Sequence, residues 1–315
     1  MGLHYFPGRR VYDDGAAVFV KALDAFAALG PHPEIAHLPF VVFGGSNGGA
    51  TSYGLACGLP ERAIAFTPNA AAWWNPETPS DAAIEVPGLF VVGLFDPFMR
   101  GVGVEATRQL VADARKRGAR WSFVAEEKGH EDGATWQLFT RFWDRAIDLR
   151  LPPGADPRQG PVALRTIPEE EGWLADTESW DDGLTRVAPF AEYEGDRAAA
   201  SWLPDADTAF LYRSVATYDN PLVLGSRDLS RAFNPDTDYR SRLVGVADPP
   251  MAPGTIVHLE CDASGFPGWE RLEFYDGAEQ LGVVEADLDP VLPITVDGSK
   301  RVYNITVLGH GADGV

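Results

Sequence analysis

Cysteine is nearly absent from this chain. Cys57 and Cys261 are its two in 315 residues, and they fall in segments of different texture, so no disulfide framework is expected. Basic residues are also few. Lys and Arg number 26 against 46 Asp and Glu, leaving a formal charge of −20. That balance argues against a nucleic-acid groove or an anionic membrane surface as partner, because both are met by Lys/Arg clusters. No apolar run reaches the roughly 20 residues that cross a bilayer. The opening "MGLHYFPGRR" carries neither the apolar core nor the small-residue cleavage site of a secretory signal. No Cys/His pair stands at ligand spacing and no His-Glu-x-x-His occurs, so no metal is expected. No cofactor is expected either. "GGSNGG" lacks the Lys-Ser/Thr ending of a phosphate-binding loop, and it fits a dinucleotide fingerprint only loosely.

What is present is ordinary globular material, with 45 % apolar residues and 23 % charged, enough to build a sizeable core. The length suggests about two domains. The first part alternates helical and strand patterns. Gly15 to Leu29 places Phe19, Leu23 and Phe26 on one helical face. "PFVVFG", "RAIAFTPNA", "VPGLFVVGLF" and "RWSFVAEE" are continuous apolar strands of the kind buried on both faces of a parallel sheet. Between the last two, Glu105 to Arg117 is a helix stopped by Gly118. After them Thr135 to Leu149 closes the unit, with Leu138, Phe139, Phe142, Ala146 and Ile147 inward. The fold class is therefore α/β, a mostly parallel sheet flanked by helices, over residues 1–152.

"LPPGADPRQGP" reads as a linker. Residues 153–217 are expected to be an acidic, irregular connector, with "SWLPDADTAF" opening a short helix. Residues 218–315 are all-β: "TIVHLECDA", "ERLEFYDGAEQLGVV" and "RVYNITVLG" alternate with period two, and Asp276-Gly277 sits at a hairpin turn. This is a small β-sandwich. The acidic run Glu169 to Glu171, with Asp181 and Asp182, reads as a solvated face.

Chemistry concentrates in "VVFGGSNGGATSYG". Gly44-Gly45-Ser46-Asn47-Gly48 is G-x-S-x-G directly after a strand and before a helix, a sharp corner that lifts a serine hydroxyl above the sheet. The helix N-terminus beyond it offers partial positive charge to an oxyanion, and the Asn47 N–H is the donor that can be assigned. The alternative is a glycine-rich turn with an incidental serine. A nucleophilic serine needs a base, and the base an orienter. "VVGLFDPFM" ends a strand in Asp96 and "VAEEKGHEDG" ends the next in His130, which gives the order Ser, Asp, His, each after its own strand. His4, His32 and His37 precede the corner, and His258 and His310 lie in the β part. Against Asp96 stands its use as a strand-end turn before Pro97; against His130, a surface loop position beside Glu131 and Asp132.

"GGSNGG", "GLFDPFM" and "EEKGHED", with the segments between them, resemble the C-terminal half of an α/β-hydrolase. The likeness is narrower to bacterial serine hydrolases and esterases of the dienelactone-hydrolase and polyester-depolymerase-like type. It covers about residues 1 to 150. "LEFYDGAEQLGVV" and "YNITVLGHGADG" resemble bacterial Ig-like modules attached to secreted hydrolases. The resemblance implies a Ser46-His130-Asp96 triad and an acyl-enzyme. It favours a secreted or periplasmic setting, and implies a polymer- or surface-docking role for the Ig-like part. It also implies strands before the corner that this chain has little room for, and one more edge strand after "GADGV". A chain clipped at both ends, or a short form with a reduced sheet, is the corresponding expectation.

Trp73 and Trp74, in the loop "NAAAWWNPETP", and Phe98 and Met99 after the acid are candidates to line an apolar or aromatic acyl cleft; the alternative is that they pack loops onto the sheet. With no long insertion to form a lid, the expected substrates are small-molecule or polymeric carboxylic esters. Two rivals stay open: a peptidase or amidase using the same triad, and an impaired hydrolase fold serving as a binding protein.

Overall fold

Four apolar segments pair into one sheet because each is too apolar for solvent and too short to stand alone. In the computed structural model they are β1 (Phe40–Gly45), β2 (Ala63–Asn69), β3 (Gly88–Gly93) and β4 (Trp121–Glu126), paired in parallel in the order β1-β2-β3-β4. The structure describes residues 15–98, 103–126, 128–130, 136–177, 184–216, 222–226, 228, 251–300, 303–312 and 314. β2, β3 and β4 are buried along their whole lengths, whereas β1 is mostly half-buried. Parallel pairing fixes a common direction, so all four C-terminal ends open at one edge.

Helices cover both faces. On one side α2 (Asn47–Gly58) and α4 (Gly103–Arg115) bury Tyr53, Ala56, Val111 and Ala114 against Phe66, Phe90 and Trp121. Their rings meet edge-on or tilted, with Phe66 and Phe90 5.4 Å apart and Phe90 and Trp121 5.1 Å apart, the geometry that aromatic quadrupoles favour. On the other side α5 (Trp136–Arg150) inserts Leu138, Phe139, Phe142 and Ala146 against Ile64, Leu89, Val91 and Val124. The four-residue α3 (Asp81–Ile84) is capped by the Ser80 hydroxyl, which accepts the Ala83 N–H.

α1 (Gly15–Leu29) spans the residues its periodicity indicates, but none of them is fully buried. Phe19 meets the Phe40 ring edge-on at 5.3 Å, while Phe26 remains 37 % exposed.

Residues 153–217, expected to be irregular apart from one short helix, carry an antiparallel sheet of β5 (Trp173–Ala175), β6 (Val187–Pro189) and β7 (Ser201–Leu203), followed by that helix as α6 (Ala206–Ala216). This segment seals the outer edge of β4. The Ser201 hydroxyl accepts the Phe123 N–H at 2.8 Å, Ser122 donates to the Trp202 carbonyl, and the Tyr212 hydroxyl donates to the Phe123 carbonyl. Unpaired strand edges are liabilities, and side chains here stand in for a neighbouring strand. Glu169, from the acidic run, pairs at 2.8 Å with Arg115, whose guanidinium is buried and also donates to the carbonyls of Ala200 and Arg197.

The C-terminal strands are β8 (Val223–Ser226), β9 (Ile256–Asp262), β10 (Trp269–Asp276), β11 (Glu279–Glu285), β12 (Val291–Thr295) and β13 (Ile305–Gly311). They make two antiparallel sheets, β11-β10-β13 and β12-β9-β8, around Leu259, Cys261, Leu272, Phe274 and Val284. Gly277 turns the β10–β11 hairpin at φ 58°. Asp207, in the first turn of α6, accepts the Ala278 N–H at 3.0 Å, and Phe210 meets Tyr275 at 5.4 Å, which ties the hairpin to α6. Among the described residues no helix is long and apolar enough to cross a membrane.

Candidate active site

Everything at this site follows from how β1 turns into α2. Ser46 adopts φ 55° and ψ −123° at the helix N-cap, a conformation sterically disfavoured for an L-residue with a side chain. A β-carbon on Gly44 would lie 2.0 Å from the Gly48 carbonyl oxygen, so strand and helix touch backbone to backbone. Gly48, the second glycine of the motif, has open space where its β-carbon would go. Gly49 is the other tight position, its β-carbon reaching within 2.9 Å of the Asn69 carbonyl oxygen. That role was not legible in the motif.

The corner is held from β2. The Ser46 N–H donates to the Asn69 carbonyl at 2.8 Å. Ala70, the next residue, has φ 49°, and with Ser46 it makes up the non-glycine residues at positive φ among those described. Two disfavoured conformations thus sit side by side on adjacent strand ends. Asn47 is exposed and begins α2, whose N-terminus lies at Ser46.

Two strands away, Asp96 follows β3 and is wholly buried. Its Oδ1 accepts the Phe98 N–H at 2.8 Å, and its Oδ2 lies 2.6 Å from His130 Nδ1. The imidazole follows β4 and keeps 29 % of its surface open. The two loops pass closely: a β-carbon on Gly93 would fall 2.2 Å from the Gly129 carbonyl oxygen. The structure thus brings Asp96 and His130 into direct contact, with Ser46 at the end of β1 on the same sheet edge. Among the described residues no hydrogen bond joins the Ser46 hydroxyl to the imidazole; such pairs commonly tighten only with substrate in place.

The aromatic candidates divide. Trp73 is 64 % exposed, and Phe98, 74 % exposed, stands edge-on to the His130 ring at 4.9 Å. Trp74 turns inward, 5.3 Å from both Tyr53 and Phe90, and belongs to the core face under α2. Met99 lies outside the described residues. Phe95 and Trp136, which the sequence did not single out, are also exposed at this edge, and Trp136 meets Phe43 of β1 at 5.1 Å. Position just past a strand end was the signal that could have found Phe95; Trp136, the first residue of α5, carried no such signal.

The other described histidines make contacts elsewhere. His37 contacts the Pro157 carbonyl, His258 contacts Asp228, and His310 contacts Glu273; His4 lies outside the described residues. Cys57, on α2, is a poor nucleophile, because burial pushes its thiol up to about 12. Beneath the site lies a charge the sequence did not flag. Lys128 is wholly buried, its ammonium donating to Asn69 Oδ1 at 2.8 Å and standing 3.4 Å from Glu126 Oε2. Among the described residues no group of three or more His, Cys, Asp or Glu is placed to hold a metal.

No protein-family model matches the chain, and no curated protein matches it. Among solved structures the chain is similar to one described as "Crystal structure of esterase PE8", with 19 % identity and a TM-score of 0.31, over 44 % of this chain and 67 % of that one.

Proposed function

We propose that the chain is a serine hydrolase of carboxylic esters, with Ser46 as nucleophile, His130 as general base and Asp96 as its orienter. In this reading residues 1–152 are an α/β-hydrolase domain with a reduced sheet, 153–217 a connector, and 218–315 an Ig-like docking module. The observation that carries the proposal is a conjunction. A serine in a disfavoured corner shares one sheet edge with a half-open imidazole whose Nδ1 is 2.6 Å from a buried carboxylate.

The chemistry follows from those positions. Asp96, buried beside the ring, accepts the Nδ1 proton of the imidazole, leaving Nε2 as the base. Nε2 takes the Ser46 hydroxyl proton as Oγ bonds to the ester carbonyl carbon. The carbonyl π electrons move onto oxygen, where the Asn47 N–H and the α2 terminus stabilise the negative charge. Collapse of this tetrahedral centre breaks the carbon–alkoxide bond, and the imidazolium returns its proton to the departing alkoxide. Water then attacks the acyl-serine by the same route in reverse, giving carboxylic acid and free Ser46. The exposed Trp73, Phe95, Phe98 and Trp136 support aryl or polymeric esters, which present flat apolar groups to an open rim.

Labelling with a fluorophosphonate probe, read by mass spectrometry, tests the assignment. Modification at Ser46 that disappears in Ser46→Ala is the expected result. An unlabelled native protein points instead to a hydrolase fold kept for binding. Faster cleavage of a p-nitroanilide than of the matching p-nitrophenyl ester would assign the site to amides.

A further inference from the structure

Lys128 is a buried ionisable group that the hydrolase mechanism does not use. Lys128 has no exposed side-chain surface, and its neighbours Glu126 and Asn69 are nearly as enclosed. Burying an ammonium costs free energy that a nearby carboxylate only partly offsets, and apolar residues of similar volume are often as stable or more so. Stability alone is therefore a weak reason for this cluster.

Its connections supply another. The Lys128 ammonium donates to the side chain of Asn69, and the carbonyl of that same residue receives the Ser46 N–H at 2.8 Å. The Lys128 carbonyl accepts the Phe95 N–H at 2.9 Å, one residue before Asp96. Lys128 itself stands two residues before His130 and is anchored to β4 through Glu126 at 3.4 Å. One side chain and its own peptide thus touch the ends of β2, β3 and β4 directly, and reach Ser46 at the end of β1 through Asn69. They also brace Asn69, which sits between Ser46 and Ala70, the non-glycine residues at positive φ among those described. Disfavoured conformations persist only where the surroundings over-determine them.

We propose that Lys128 is a positioning residue: with Glu126 and Asn69 it locks the β2 and β4 ends together and fixes Ser46 relative to His130. The proposal rests on the serine-hydrolase reading for its effect on rate, but not for its effect on the Ser46 corner. A positioning error of about 1 Å can cost roughly a hundredfold in rate.

The test uses two variants of the full chain. Lys128→Met with Glu126→Gln removes the ion pair without leaving an orphan charge; Asn69→Leu cuts the same link from β2. Each is measured for thermal midpoint, for kcat and KM on p-nitrophenyl acetate, and for hydrogen exchange of the Ser46 amide. We expect a midpoint within a few degrees of native, kcat lower by about 10- to 100-fold with KM little changed, and Ser46 exchange faster by about tenfold or more while β3 amides keep their protection. Asn69→Asp, which retains an oxygen for the ammonium, should recover much of the loss. Native kcat and native Ser46 exchange in either folded variant overturns the proposal. So does failure of both variants to fold, which would make the cluster purely structural. If the native protein neither hydrolyses esters nor takes the serine probe, the hydrolase reading falls, and Ser46 exchange alone decides whether this network holds the corner.

Discussion

Gly44 and Gly48 pass so close that a β-carbon on the first would overlap the carbonyl oxygen of the second, at 2.0 Å. The converse does not hold, since a β-carbon on Gly48 meets nothing within 4 Å. Gly44→Ala should therefore destabilise by about 3 kcal/mol or more and abolish activity. Gly48→Ala should be neutral or stabilise by up to about 1 kcal/mol. Paired chemical-denaturation curves check this, and an unaltered midpoint for Gly44→Ala would contradict the backbone contact.

Ser46 should show opposed effects on activity and stability. Ser46→Ala keeps a β-carbon at φ 55° and should lose turnover by roughly 10⁴-fold or more with little change in stability. Ser46→Gly should be equally inactive yet melt higher than Ser46→Ala, because relief of the disfavoured conformation is worth about 1 kcal/mol or more. Calorimetry of the two variants side by side gives the answer.

Asp96→Asn offers a cleaner cut than deletion. The Phe98 N–H, 2.8 Å from Oδ1, holds the amide oxygen on that side and turns the amide nitrogen toward His130 Nδ1. The imidazole must then place its proton on Nε2 and cannot act as the base. Turnover should fall by about 10⁴-fold with the fold intact, as read by steady-state kinetics beside circular dichroism.

The α/β part was legible because its signals are long and repeated. Four apolar runs separated by amphipathic helices leave few topologies, and Thr135 to Leu149 differs from α5, Trp136–Arg150, by one residue at each end. The three short strands within residues 173–203 were illegible for the opposite reason, although the helix that "SWLPDADTAF" opens was expected. Strands of three residues, "WLA", "VAP" and "SWL", are too short to display a period. At the site, motif spacing led to the contact between Asp96 and His130. It could not separate Trp73 from Trp74, since neighbours in a loop point wherever packing sends them. Nor could it find Lys128, whose burial depends on three chain segments meeting.

The two adjacent tryptophans should respond differently. Trp73→Ala should raise KM for a naphthyl ester several-fold while leaving p-nitrophenyl acetate nearly unaffected, and Phe98→Ala should behave alike. Trp74→Ala should instead cost about 3 kcal/mol of stability, since its ring packs on Tyr53 and Phe90. Kinetics on both esters, with a melting curve for each variant, separates rim from core.

Cys57 ties stability to alkaline pH. Its thiol is raised from 9.0 to about 12, chiefly by burial. A raised folded-state value means that the contribution is complete below pH 9 and is lost as pH climbs toward 12, because only the unfolded chain gains the thiolate. Cys57→Ala should flatten that part of the stability profile. At pH 8 iodoacetamide should leave Cys57 unmodified in the folded protein and react after denaturation, which intact mass would report.

The hydroxyls of Ser201 and Tyr212 at the margin of β4 bear on any attempt to carve out a minimal α/β unit. Cutting at the proline-rich junction near Leu151 would look natural on paper, yet it would strip the Phe123 amide and carbonyl of their partners and bare the strand that leads to His130. Such a fragment should be sticky and short-lived. Anyone grafting this scaffold should carry the chain through Ala216, since the sheet that bears Ser46, Asp96 and His130 borrows its border from sequence that lies well beyond it.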